Sequence, residues 1–113
     1  MDDALAPEDA KLVTLARGAR ARVGARTGAA LRDETGRTYS GADVEIPSLQ
    51  ISALALAVAQ ALAAGATGAE AAAVVGAPPT SADLDILRDL GGVGVPVLAC
   101  AADGTVLSRT VTG

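Results

Sequence analysis

The sequence predicts an α/β domain in three layers, with helices on both faces of a five-strand mixed sheet and elements in the order α-β-β-α-β-α-β-β. Three stretches carry that expectation. The run from Pro47 to Gly65 is helix-length and lies in a span with no charged side chain between Ile46 and Ala69. Its Leu49, Ile51, Leu54, Leu56, Val58 and Leu62 fall on every side of a 3.6-residue wheel, so a helix there is apolar all round and belongs in a core. Ala71 to Gly76 is a short continuous apolar run ended by Ala77-Pro78-Pro79, the pattern of a strand covered on both faces. Asp33-Glu34-Thr35-Gly36 separates two strand-like runs and reads as a hairpin turn in which Gly36 supplies a positive φ.

Taken in order, residues 1–6 are expected to be a loose acidic lead-in. Pro7, Glu8 and Asp9 suit a first helical turn, and Leu12, Val13, Leu15, Ala16, Ala19 and Val23 provide an apolar face for a helix over 7–23. Thr27–Leu31 and Arg37–Val44 flank the turn as strands, with Ile46 closing the second. Pro47 and Ser48 are read as the entry to the central helix and Gly65 as its stop. After the Ala71 strand, Thr80-Ser81-Ala82-Asp83 forms a capping box, in which the Thr80 hydroxyl takes a backbone N–H and Asp83 reaches back. Leu84, Leu87 and Leu90 carry that helix to Gly91-Gly92. Pro96–Cys100 is the fourth strand, Ala102-Asp103-Gly104 a turn, and Thr105–Val111 the fifth strand.

The 113 residues form one domain, 1–113, large enough to bury a core without disulfide or metal staples. Half the residues are hydrophobic, but Tyr39 is the only aromatic one. The core is therefore built from Ala, Val, Leu and Ile, with almost no ring for stacking a base. A net charge of −4 argues against nucleic acid as a partner, because such binding rests on neutralising phosphates. Seven of the nine basic residues nevertheless lie between Lys11 and Arg37, and read as a solvated face. The central run matches the length of a membrane span, yet it is mostly alanine, is interrupted by Gln50, Ser52 and Gln60, and lacks flanking basic residues, so no membrane association is expected. The single Cys100 permits no internal disulfide and, without any His to activate it, reads as a small buried hydrophobe. The acidic opening M-D-D-A-L-A-P-E-D does not look like a secretion leader, and a cytoplasmic location is expected.

Fragments along nearly the whole chain resemble the cytidine deaminase family. Thr27-Gly28-Ala29-Ala30-Leu31 is similar to its V-G-A-A-L strand, D-E-T-G-R-T-Y to its D-G-x-x-Y/F turn, and Gly41-Ala42-Asp43-Val44-Glu45 to its G-x-N-V-E segment. The Ala73-Val74-Val75 strand, Pro79 and the closing P-V-L-x-x-x-x-D-G-T-V continue the match. The resemblance implies the single-domain three-layer α-β-α sandwich of that family. It also implies that Asp43 and Glu45 stand where the family holds the ribose hydroxyls of a nucleoside.

The family's chemistry rests on a zinc ion held by one His or Cys at the start of the central helix and two Cys of a P-C-x-x-C. The ion acidifies a water, and a Glu two residues after the first ligand shuttles protons. Counted back from Gly65, the C-A-E motif falls on Ser52-Ala53-Leu54, with a two-residue deletion before it; without the deletion it falls on Leu54-Ala55-Leu56. The P-C-x-x-C becomes Pro79-Thr80-Ser81-Ala82-Asp83. The resemblance thus identifies Ser52, Leu54, Thr80 and Asp83 as degenerate metal-site positions, with no zinc and no other cofactor expected and no catalytic residue assigned. A carboxylate set of Asp43, Glu45 and Asp83 would suit only a harder cation, and Asp83 already has a use as a cap. Ala25 replaces a pyrimidine-stacking Phe. These readings favour a non-catalytic, oligomeric binding or scaffold protein, a homo-oligomer with an unidentified protein partner or small ligand. A small anion near Ser52, Thr80 and Ser81, where two helix N-termini converge, is one such ligand. The alternative is an active nucleoside deaminase with an atypical metal site.

Overall fold

Residues 5–113 are described by a computed structural model of the chain. Helix α1 runs Pro7–Val23, as the sequence predicts. Pro7 sits where a missing N–H costs nothing, and Glu8 and Asp9 face the positive end of the helix dipole. Gly24, at a left-handed φ of 63°, ends it, and the Gly24 and Ala25 N–H groups bond back to the Ala21 and Arg20 carbonyls at 3.3 and 3.1 Å. Of the expected lead-in, residues 1–4 lie outside the described residues, while Leu5 packs against the core beneath α1.

Strands β1 (Gly28–Asp33) and β2 (Thr38–Ala42) form the expected hairpin, followed by two short strands, β3 (Val44–Ile46) and β4 (Leu49–Ile51), and helix α2 (Ala53–Ala63). Then come β5 (Ala69–Val75), α3 (Ser81–Gly91), β6 (Pro96–Cys100) and β7 (Val106–Val111). The main sheet has the order β2-β1-β5-β6-β7, with β5 and β6 parallel and the other pairs antiparallel. The alternation of strand side chains divides the core in two. Ala30, Ala73, Val75, Leu98 and Cys100 meet Leu12, Val13 and Ala16 of α1. Ala29, Leu31, Ala72, Val74 and Val97 meet Leu54, Val58 and Leu87 from α2 and α3.

Three expectations need correction. The second strand stops at Ala42, because Asp43 turns its carboxylate to Thr27 and Ala53 and breaks the pairing. Pro47 and Ser48 do not open the central helix. They are the two-residue turn of a separate β3–β4 ribbon in which Ile46 opposes Leu49, a place where the fixed φ of proline is equally at home. The helix starts at Ala53, with Ser52 as its N-cap accepting the Ala55 N–H at 3.1 Å. Nor is α2 buried on all sides: Ala53, Leu54, Ala57, Val58 and Ala61 face the core, whereas Leu62 is 55% exposed. An outer layer has one covered face, however apolar its sequence. Gly65, with φ of 93°, does stop the helix as predicted.

Candidate functional site

Beyond the C-terminal end of β5, the approach to β1, the start of α2 and the start of α3 enclose a cleft of ≈ 380 Å³. Thr27, Asp43, Ser52, Leu54, Thr80 and Asp83 line it. Each polar side chain is placed by a local device. Ser52 caps α2. Thr80 caps α3, with the Thr80 hydroxyl accepting the Asp83 N–H and the Asp83 carboxylate accepting the Thr80 N–H, both at 3.1 Å. That is the capping box the sequence predicts.

The tertiary fold adds a bond between the two caps. The Ser52 hydroxyl donates to Asp83 Oδ1 at 2.6 Å, joining residues 31 apart in the chain. Asp83 is 8% exposed. On the other wall, Asp43 Oδ1 accepts the Thr27 hydroxyl at 2.6 Å and the Ala53 N–H at 2.9 Å, while Oδ2 accepts the Thr27 N–H at 3.0 Å. Thr27 is the partner that sequence reasoning missed, since nothing local marks a hydroxyl 16 residues from its acceptor.

Two carboxylates therefore already receive donors at the helix starts, Asp43 at α2 and Asp83 at α3. A small anion entering near Ser52, Thr80 and Ser81 would meet like charge, so the positive field expected there is already neutralised. Among the described residues the ion pairs are those of Arg32 with Asp9 and Glu70, at 3.2 and 2.9 Å, so no cation pairs with either cleft carboxylate. Arg26 lines the cleft without such a pair.

Of the other residues singled out by sequence, Glu45 and Cys100 lie away from the cleft, and Leu54 borders it from within the core. Glu45 is exposed on β3, opposite Gln50, and borders a neighbouring depression that it shares with Asp43. Leu54 is 1% exposed and belongs to the core cluster under α2. Cys100 lies on the α1 side of the sheet, where burial pushes its thiol pKa up. Asp43, Glu45 and Asp83 do not form a metal set: among the described residues no three His, Cys, Asp or Glu side chains are grouped to hold an ion. No helix among them is long and apolar enough to cross a membrane.

The five-strand sheet, one helix on one face and two on the other, and a cleft at the starts of α2 and α3 define a deaminase-type α/β sandwich. The cytidine deaminase-like family model matches residues 5–104, and the chain belongs to that family. Among solved structures it is similar to the cytidine deaminase from Burkholderia pseudomallei, at 28% identity over 91% of this chain and 90% of that one, with a TM-score of 0.76. The cytidine deaminase from Mycobacterium tuberculosis matches at 27% identity, covering 77% of this chain and 80% of that one, with a TM-score of 0.69. The enzyme from Mycobacterium leprae shares the fold at 20% identity, 96% and 95% coverage and a TM-score of 0.75. Comparison with curated protein sequences gives no match.

The residues present do not fit the zinc ion that this fold implies. Zinc is held by thiolate, imidazole and carboxylate ligands, three of them at a catalytic centre. Here Ser52 and Thr80 offer neutral hydroxyls, both engaged in caps, and the carboxylates of Asp83 and Asp43 already accept bonds from Ser52, Thr80, Thr27 and Ala53.

Proposed function

We propose that this chain is a deaminase-fold protein without zinc-dependent hydrolytic deamination, acting in the cytoplasm as a non-catalytic, oligomeric binding or scaffold protein. The observation that carries the reading is the 2.6 Å bond between Ser52 and Asp83, which fills with a hydrogen bond the place where the resemblance puts metal ligands. Hydrolytic deamination needs an activated water and a group that moves its proton. Leu54, at the position of the proton shuttle, can do neither. Ala25 offers no ring to a pyrimidine, and the Asp43 carboxylate is committed to Thr27 and Ala53.

What remains is a cleft with hydrogen-bonding walls and an exposed Leu62 on the outer face of α2. The exposed leucine supports self-association, and the cleft supports binding of a small ligand or partner segment. Elemental analysis of untagged protein from zinc-supplemented cells, joined to an ammonia-release assay on cytidine, tests the reading. Less than a tenth of an equivalent of zinc and no ammonia are expected. One zinc per chain with turnover would establish the alternative, an active nucleoside deaminase with an atypical metal site. Light scattering tests assembly: a dimer or tetramer is expected, and Leu62→Glu is expected to split it.

A further inference from the structure

We infer that Asp83, gripped by Ser52 and Thr80, takes over the structural task of a metal by tying the starts of α2 and α3 together, so that the fold is independent of zinc while its three cap positions keep the convergence of a metal site. The inference rests on the proposed function only in taking the cleft as free of metal.

Helices α2 and α3 are 11 residues each, and both begin at the cleft. Each start carries about half a positive charge from its unpaired N–H groups, so two starts brought together repel unless an anion lies between them. Asp83 supplies that anion with one oxygen for each side. Its Oδ2 accepts from Thr80 at the start of α3, and its Oδ1 accepts from Ser52 at the start of α2. Ser52 in turn uses both faculties of its hydroxyl, accepting from Ala55 within α2 and donating to Asp83 across the gap.

Capping alone does not call for this arrangement. The box of Thr80 and Asp83 closes α3 by itself, and the Ser52 acceptor closes α2 by itself. The bond between them is the surplus element. At 2.6 Å and to a buried carboxylate oxygen, it has the length of the strong class of hydroxyl–carboxylate bonds. Alanine at position 83 has no acceptor, so Asp83→Ala removes the link to Ser52 together with that to Thr80, whereas the amide of an asparagine can accept from Thr80 and donate to the Ser52 oxygen and so keep both.

The test is a double-mutant cycle of Ser52→Ala and Asp83→Ala read as thermal midpoints, each protein measured with chelator and with added zinc. The wild-type midpoint is expected to be the same in both, and each single variant to melt about 4–8 °C lower. The double variant is expected to melt well above the sum of the two losses, because both remove one bond. Strictly additive losses, or a wild-type midpoint that rises with zinc, would overturn the inference. Convergence is tested separately with the triple variant S52C/T80C/D83C, titrated with cobalt. A thiolate-to-cobalt absorption band at one metal per chain is expected, and its absence would show that the three positions do not meet. Ammonia release with the coupled losses intact and a midpoint unmoved by zinc would sink the proposed function and leave this inference standing, whereas additive losses without turnover would do the reverse.

Discussion

Asp43 and Thr27 hold each other three times. The Thr27 N–H and hydroxyl donate to the Asp43 carboxylate at 3.0 and 2.6 Å, and the Asp43 N–H donates to the Thr27 carbonyl at 3.3 Å. The carboxylate also takes the first N–H of α2, at 2.9 Å, so one side chain fixes the start of β1, the end of β2 and the start of the central helix. Asp43→Asn replaces one acceptor oxygen by a donor facing the Thr27 N–H. The variant is expected to lose about 1–3 kcal/mol in urea unfolding, and Thr27→Val, which removes only the hydroxyl bond, to lose less. Unchanged midpoints in both would show that this junction is not a structural anchor.

The contact of α1 with the sheet depends on Gly28. A methyl group there would press into the Ala16 carbonyl oxygen and lie 2.9 Å from the Arg20 backbone nitrogen, atoms that cannot move without lifting the helix. Gly28→Ala is therefore expected to destabilise by about 2 kcal/mol or more. Gly18, on the same helix, has open space at its Cβ position, and Gly18→Ala is expected to stabilise by about 0.5–1 kcal/mol. Opposite signs in one denaturation series check the close approach; equal signs would refute it.

Acid should unfold the protein partly through the turn after β1. Burial of Asp33 opposes its ionisation, but the hydroxyl and N–H of Thr35, the N–H of Arg37 and the Tyr39 hydroxyl, all within 3.0 Å, outweigh it and hold the carboxyl below its ordinary value. Glu34 is held low as well, first by the Thr67 hydroxyl at 2.8 Å and then by backbone N–H donors. A folded pKa below the unfolded one means that the stabilisation is complete above the ordinary carboxylate range. It is lost as pH falls from that range through the lower folded values. Melting temperatures measured from neutral pH to about pH 2 should fall over that window, and Glu34→Gln should flatten the fall.

Cys100 should be inert while the protein is folded. It is 2% exposed, and burial raises its pKa, so little thiolate is available to an alkylating reagent. Iodoacetamide at neutral pH should label it only after denaturation; labelling of native protein at a rate near that of the unfolded chain would contradict the packing beneath α1.

Whatever rests on bonds within a few residues can be read along the chain. Helix α1 is announced by Pro7, Glu8 and Asp9, the first hairpin by Gly36, and α3 by the Thr80–Asp83 box, because caps and positive-φ turns are set by neighbours along the chain. Family membership was legible in the same way, through ordered short motifs. Pro47-Ser48 was misread because the same two residues suit a helix entry and a tight turn, and an alanine-rich run carries no period to choose between them. That Ser52 opens α2, that its hydroxyl meets Asp83, and that Asp43 faces Thr27 and Ala53 while Glu45, two residues on, is exposed came from the packed fold. Those bonds join residues 31, 16 and 10 apart in the chain. Their geometry exists only once the sheet has brought the segments together, since propensity reports what a residue prefers locally and is silent on which distant group will satisfy it.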